Sequence, residues 1–192
     1  MAETFFDYLR SKLAVNDEQL SKLKPYLKTR HLEKGQLLLK VGEVSLYGAF
    51  VLKGCLRSYV IDEKGKEHII QFAPENWWIA EQISLFKKEQ AIYYIDAIEA
   101  TDFIAIDLAF FEELNRIVPD LQQFLNSLQL NSLRTFQKRL ISQLSETGEQ
   151  RYVGFIKMYP SLSLRLPLWM IASYLGLTPE SLSRIRKELL DK

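Results

Sequence analysis

"WMIASYLGLTPESLSRIRKEL", Trp169 to Leu189, reads as two short helices around a tight joint. Leu168, Ile171, Ala172 and Leu175 recur at helical spacing, and Gly176 follows where a helix stop belongs. Thr178 suits the cap of the second helix, Pro179 its first turn, and Glu180 the positive end of its dipole. Leu182, Ile185 and Leu189 share one face of that helix. At about 100° per residue the opposite face presents Glu180, Ser183, Arg184 and Lys187. Ala172 is small enough to let the second helix approach the first. Gly176 permits the change of direction, and Leu182 and Ile185 supply apolar anchors. These offsets describe a helix-turn-helix, a motif that lays its second helix in the major groove of DNA. A plain helical hairpin with a solvated basic face has the same local pattern, so the spacing alone leaves both readings open.

The rest of the chain sets bounds on that choice. Its 192 residues suit one large domain or two small ones, and 47% hydrophobic with 26% charged residues is ordinary for a globular protein. The formal net charge is +1, so a nucleic-acid role has to rest on a local patch. The single cysteine, Cys55, excludes an internal disulfide and an all-cysteine metal or iron–sulfur site. The opening "MAETFFDYLRSKL" lacks the basic-then-apolar layout of a secretion signal. No apolar run is long enough to span a bilayer. The expectation is a soluble cytoplasmic protein without a membrane partner.

Three zones follow one another. Residues 1–118 open with helical patterns around Phe5–Leu13 and Asp17–Leu27. Short β-rich runs come next: "QLLLKVG", "YGAFVLKGCLRSYVI", "EHIIQFA" and "YYIDAIEATDFIAID". Gly35, Gly42, Gly54 and Gly65 punctuate them, and "DEKG" at Asp62–Gly65 signals a hairpin. Many short strands separated by turns predict a barrel or sandwich. Residues 119–147 predict one long helix, with Pro119 in its first turn and Gly148 at its end. Leu121, Phe124, Leu125 and Leu128 mark an apolar stripe that Leu133, Phe136, Leu140 and Leu144 continue. A helix well beyond the usual length of about 11–12 residues with such a stripe predicts a connecting helix that packs against a partner. Residues 148–192 form a helical zone ending on the opening stretch.

Together, "RYVGFIKMYPSL", "LPLWMIASYLGLTPESLSRIRKEL", "LEKGQLLLKVGE" and "FVLKGCLRSYVIDEKGKE" resemble the cyclic-AMP receptor/fumarate-nitrate regulator (Crp/Fnr) family over nearly the whole chain. Gly35, Gly42 and Gly54, with Arg57 just after, look like that family's sensor. The resemblance implies an α+β protein: an N-terminal β-roll (a double-stranded β-helix, cyclic-nucleotide-binding-like), a long dimerisation helix, and a C-terminal helix-turn-helix with recognition helix 178–190. It implies a homodimeric transcription regulator on a palindromic double-stranded operator, with RNA polymerase and a small-molecule effector as further partners. The chain ends at Lys192, so the wing that often follows this helix in the family is expected to be missing.

The family's base-reading glutamate and arginine fall on Glu180 and Arg184, while Pro179 replaces a basic residue of its best-known member. A related but different operator is implied. Chemically, Arg184 can donate two hydrogen bonds to a guanine and Glu180 can accept from a cytosine. Thr178 and Ser181 sit where hydroxyls and backbone N–H groups suit phosphate oxygens, Ser183 shares the outward face, and Lys187 suits a phosphate.

The sensor departs from the family pattern. Cyclic-nucleotide-binding members carry a Gly-Glu pair and, further on, an arginine with a small residue. Here Glu81 holds the glutamate position, but Ala80 replaces the glycine, Ala91 the arginine and Ile92 the small residue. A buried phosphate without a cation is costly, so no response to cyclic AMP is expected unless another cation such as Arg57 substitutes. Trp77, Trp78, Phe86, Tyr93 and Tyr94 make the region aromatic. That suits either a pocket for an apolar effector or a pocket filled by its own side chains. Phe136 and Gln137 lie where the family closes over the ligand base, and a phenylalanine there suits a filled site.

Other classes find less support. His31 and His68 stand in no ligand motif, and phosphate-loop, dinucleotide and nucleophile-elbow motifs are missing. The carboxylates Glu112 and Glu113 read as solvated helix charge. No catalytic residue, metal or cofactor is expected. A β-roll interaction module that has lost DNA binding is the alternative.

Overall fold

Strands β1 (Lys28–Leu32), β2 (Leu37–Leu39), β3 (Gly48–Lys53), β4 (Leu56–Ile61), β5 (Glu67–Ala73), β6 (Trp78–Ile79), β7 (Tyr94–Ala97) and β8 (Thr101–Ile106) form two four-stranded sheets. Their orders are β1-β8-β3-β6 and β2-β7-β4-β5. In β3 and β8 neighbouring side chains are buried on both faces, which is why these strands read as apolar runs without clean alternation. Ala49, Val51, Phe103 and Ala105 turn inward and meet Leu39, Leu56, Ile95 and Ala97 of the other sheet. Phe50, Ile104 and Ile106 turn outward onto helices.

Those helices are α1 (Ala2–Lys12), α2 (Asp17–Leu23), α4 (Leu108–Ile117) and the start of α5 (Leu121–Ser145). Phe5, Leu9, Leu20, Phe110, Leu114, Leu121 and Phe124 complete this second core. Asn16 caps α2 in a reciprocal pair with Gln19, each bond 2.9 Å. The predicted second helix stops short at Leu23, and a 3-10 turn around Pro25 (Lys24–Tyr26) follows. A short helix, α3 (Gln82–Lys87), lies between β6 and β7.

The sheet connections need left-handed backbone at a few points. Gly54 has φ +92°, and a Cβ there would meet the Ala100 carbonyl oxygen at 2.6 Å. The predicted "DEKG" hairpin forms: Gly65 N–H donates to Asp62 O at 2.9 Å and Asp62 N–H to Lys66 O at 3.0 Å.

The computed structural model describes residues 2–118 and 121–190. Pro119, read above as the first turn of the long helix, lies outside the described residues. The chain divides into two units. One holds the residues up to Val60 and Gln71–Leu128; the other holds Ile61–Ile70 and the chain from Gln129 onward. The second unit therefore takes in the tip of the β4–β5 hairpin. Its helices, besides the body of α5, are α6 (Gly148–Met158), α7 (Leu162–Arg165), α8 (Leu168–Leu175) and α9 (Pro179–Leu190).

Gly148 does not close the long helix as the sequence suggests; it opens α6. Thr147 caps that helix in a reciprocal pair with Gln150. The glycine is needed for approach: a Cβ at Gly148 would meet Ile185 Cδ1 at 2.9 Å and Leu177 Cδ2 at 3.2 Å. No helix among the described residues is long and apolar enough to cross a membrane.

Candidate nucleic-acid interface

Helix α8 is apolar almost all round, with Met170, Ile171, Ala172, Tyr174 and Leu175 buried. It ends at Gly176 with φ +65°, and Leu177 N–H returns to Ala172 O at 2.9 Å, so a left-handed glycine closes the helix C-terminus. Arg151 of α6 donates from Nη1 to Leu175 O at 2.7 Å, placing a cation at the negative end of the α8 dipole. Phe155 of α6 and Tyr159, which caps its C-terminus, pack on Tyr174 with centroids 5.7 and 5.9 Å away.

Thr178 then starts α9, its Oγ1 accepting from Ser181 N–H at 3.2 Å. Leu182 is fully buried and Ile185 half-buried, while Glu180, Ser183, Arg184 and Lys187 are exposed. The sequence-predicted anchors and the sequence-predicted outward face therefore separate onto opposite sides. Thr178 is exposed and Ser181 half-buried at the helix start. Glu180 sits below the usual carboxylate range, chiefly through its own backbone N–H and then the Thr178 hydroxyl, so it stays an ionised acceptor. Arg184 Nε lies 3.9 Å from Glu188 Oε1, and both side chains are largely in solvent. A pair so exposed contributes little, leaving the guanidinium available to a partner.

In the first unit the predicted sensor residues lie around α3. Glu81 is buried, and its carboxylate accepts from Ser84 N–H as the cap of α3. Ser84 Oγ accepts from Ser45 N–H at 2.7 Å. Tyr93 donates from its hydroxyl to Ala80 O at 2.9 Å, and burial pushes its phenol well above the ordinary tyrosine range. Ala91 is buried, with its N–H on Glu43 O at 2.8 Å, while Ile92 is exposed. Arg57 is buried against Asp96, with Nε and Nη2 on the two carboxylate oxygens at 2.7 and 2.9 Å. Its guanidinium also lies 4.2 Å from the Tyr59 ring centroid.

The aromatic residues do not form one box. Trp78 packs with Phe5, Tyr8 and Phe50 in the outer core. Phe86 meets Phe111, and Tyr94 stacks on Tyr59. Trp77 and Tyr93 pack against the cluster between the sheets. In the second unit, Phe136 and Gln137 are exposed on α5.

Comparison with known proteins agrees with this arrangement. The cyclic nucleotide-binding domain family matches residues 29–116. The transcriptional activator protein FnrA of Stutzerimonas stutzeri is 25% identical over 187 residues, 90% of this chain and 75% of that protein. The fumarate and nitrate reduction regulatory protein of Vibrio cholerae is 25% identical over 185 residues, 89% and 72% of the two chains. FixK2 from Bradyrhizobium japonicum superposes with a TM-score of 0.75 at 20% identity, covering 86% of this chain and 85% of that one. Residues 29–116 match the cyclic nucleotide-binding domain, and the chain as a whole is similar to regulators of the Crp/Fnr family. Regulators of the Crp/Fnr family bind DNA and typically act as dimers.

Three residues of this region escaped the sequence reading. Arg151 holds the end of α8, and Arg139 and Ser173 hold the β5 backbone. Ser173 gave the one usable signal, a hydroxyl inside an otherwise apolar helix, where serine is neutral at best unless it bonds backbone.

Proposed function

We propose that the chain is a homodimeric, sequence-specific DNA-binding transcription regulator that lays α9 in the major groove of a palindromic operator. The observation that carries this is the outward face of α9, where Glu180, Ser183, Arg184 and Lys187 stand over a buried Leu182. In this reading Arg184 donates to guanine O6 and N7, and Glu180 accepts from cytosine N4. Thr178, Ser181 and Lys187 serve phosphates. This partner puts the protein in the cytoplasm.

Dimerisation rests on α5. Leu133, Phe136, Leu140 and Leu144 are 53%, 44%, 57% and 79% exposed, and Leu130 and Ile141 extend the apolar surface. An apolar stripe left in water along such a helix fits a second copy about a two-fold axis. The two recognition helices then lie about 34–36 Å apart, one turn of duplex.

The sensor unit does not answer to cyclic AMP in this reading. Ala91 supplies no cation, Arg57 is held by Asp96, and the Glu81 carboxylate occupies the start of α3. Selection from random duplexes, with light scattering on the same sample, tests the proposal. An enriched palindrome bound by a dimer is expected. No enrichment favours the interaction-module reading, and a monomer at micromolar concentration overturns the two-fold arrangement.

A further inference from the structure

β5 ends the order β2-β7-β4-β5. An edge strand presents a row of unpaired backbone N–H and C=O groups. Along Glu67–Ile70, in the second unit, that row is taken by side chains of two helices. Ser173 of α8 accepts from Ile69 N–H at 3.1 Å and donates to Glu67 O at 3.0 Å. Arg139 of α5 donates from Nη2 to Ile69 O at 2.8 Å and from Nη1 to Ile70 O. The same guanidinium lies 4.1 Å from the ring centroid of Tyr174, the neighbour of Ser173. One arginine thus ties α5 both to the hairpin and to the first helix of the helix-turn-helix, and one serine closes the triangle.

Taking an arginine out of water is expensive unless its donors are used, and Arg139 is half-buried in a largely exposed stretch of α5. Backbone carbonyls as acceptors make the contact insensitive to which side chains the hairpin carries, and a planar fork fixes angle as well as distance. Lysine could satisfy the charge but not the geometry.

We propose that Arg139 and Ser173 are positioning residues: they strap the hairpin between α5 and α8 and so fix the angle of the recognition helix to the dimer helix. That angle sets the half-site spacing the dimer accepts. The inference rests on the DNA-binding reading above, since spacing has meaning only for a dimer on a palindrome. A change of one base pair moves one half-site by about 3.4 Å and about a tenth of a turn relative to the other. A strapped helix-turn-helix cannot follow it; an unstrapped one can.

The test compares wild type with Arg139→Ala, Arg139→Lys, Ser173→Ala and Ser173→Thr. Each is measured on the selected operator, on the same half-sites spaced one base pair wider or narrower, and on single-base variants within a half-site. Wild type should lose about tenfold or more in affinity on respaced operators, and Arg139→Ala and Ser173→Ala at most about threefold. Base preference within the half-site should stay the same for all. Ser173→Thr keeps a hydroxyl and should behave as wild type, and Arg139→Lys should fall with Arg139→Ala. Hydrogen exchange at the Ile69 amide should rise in Ser173→Ala and not in Ser173→Thr, with thermal unfolding confirming that each variant folds. Wild-type spacing selectivity in both alanine variants alongside raised Ile69 exchange overturns the spacing claim alone. Unchanged Ile69 exchange in Ser173→Ala overturns the strap. No enriched duplex for wild type overturns the DNA reading and the spacing claim with it, while the exchange experiment still reads the strap.

Discussion

Replacing Asp96 by leucine tests whether Arg57 is structural or is a cation waiting for a phosphate. Arg57 and Asp96 are register partners across β4 and β7, joined by two bonds of 2.7 and 2.9 Å. Their side chains are only 7% and 8% exposed. Removing one member of such a pair strands a buried charge and costs about 3–5 kcal/mol, whereas replacing both with apolar groups is often neutral or better. Asp96→Leu and Arg57→Met should therefore each destabilise the first unit by about that amount. The double variant Arg57→Met/Asp96→Leu should lie within about 1 kcal/mol of wild type, a coupling large enough to read in a cycle. Urea unfolding followed by Trp77 and Trp78 fluorescence measures this, at fixed protein concentration because dimers gain stability by mass action. An Asp96→Leu cost below about 1 kcal/mol refutes the structural role of the pair. So does a rise in the wild-type urea midpoint with cyclic AMP, which would mean that Arg57 leaves Asp96 for a phosphate.

Three other outcomes follow from the geometry. Gly176→Ala should cost about 1–2 kcal/mol, because φ is +65° but nothing beyond its chain neighbours lies nearer than 3.5 Å to the new Cβ; urea unfolding followed on Trp169 checks this. Lys187→Ala should weaken binding to all duplexes alike and reduce the slope of log K against log salt by about 1, read by titrations at several salt concentrations. His31 has its proton affinity raised by the 2.6 Å bond to Asp102 and, less, by Glu33. Its contribution to stability is therefore full below about pH 6.5 and is lost as pH rises through the higher folded-state value. His31→Gln should flatten that fall in a pH series of unfolding midpoints.

The helix-turn-helix was legible because its rules are local. Gly176, Thr178 and Leu182 each perform the role that their position announces. β3, β5 and β8 were legible as apolar runs, and the hairpin at Asp62–Gly65 by its turn chemistry. β1 was missed because "KTRHL" is polar and largely exposed; it is a strand only through its pairing with β8. Glu112 and Glu113 read as helix charge, but the start of α4 was not placed, because Ile106 runs on into an apolar stretch where Asp107, the actual cap with its side chain on Phe110 N–H at 3.1 Å, is easily read as a strand end. Gly148 was placed on the wrong helix because glycine suits a C-terminus, whereas here close packing against Ile185 and Leu177 requires it. The departures of Ala80, Ala91 and Ile92 were plain in the sequence. That Arg57 is committed to Asp96 was not, since the partners are 39 residues apart. Neither was the junction of Arg139 and Ser173 with β5, which depends on tertiary placement alone.

Base readout by α9 is tested most directly at Arg184. Wild type and Arg184→Ala are compared on the selected operator and on all single-base changes in one half-site. Arg184→Ala should lose about 1–3 kcal/mol on the operator and become indifferent to one guanine position per half-site, with preference elsewhere kept. Unchanged affinity and unchanged preference at every position would contradict it, because Arg184 is the exposed arginine on the outward face of α9, whereas Arg186 is half-buried.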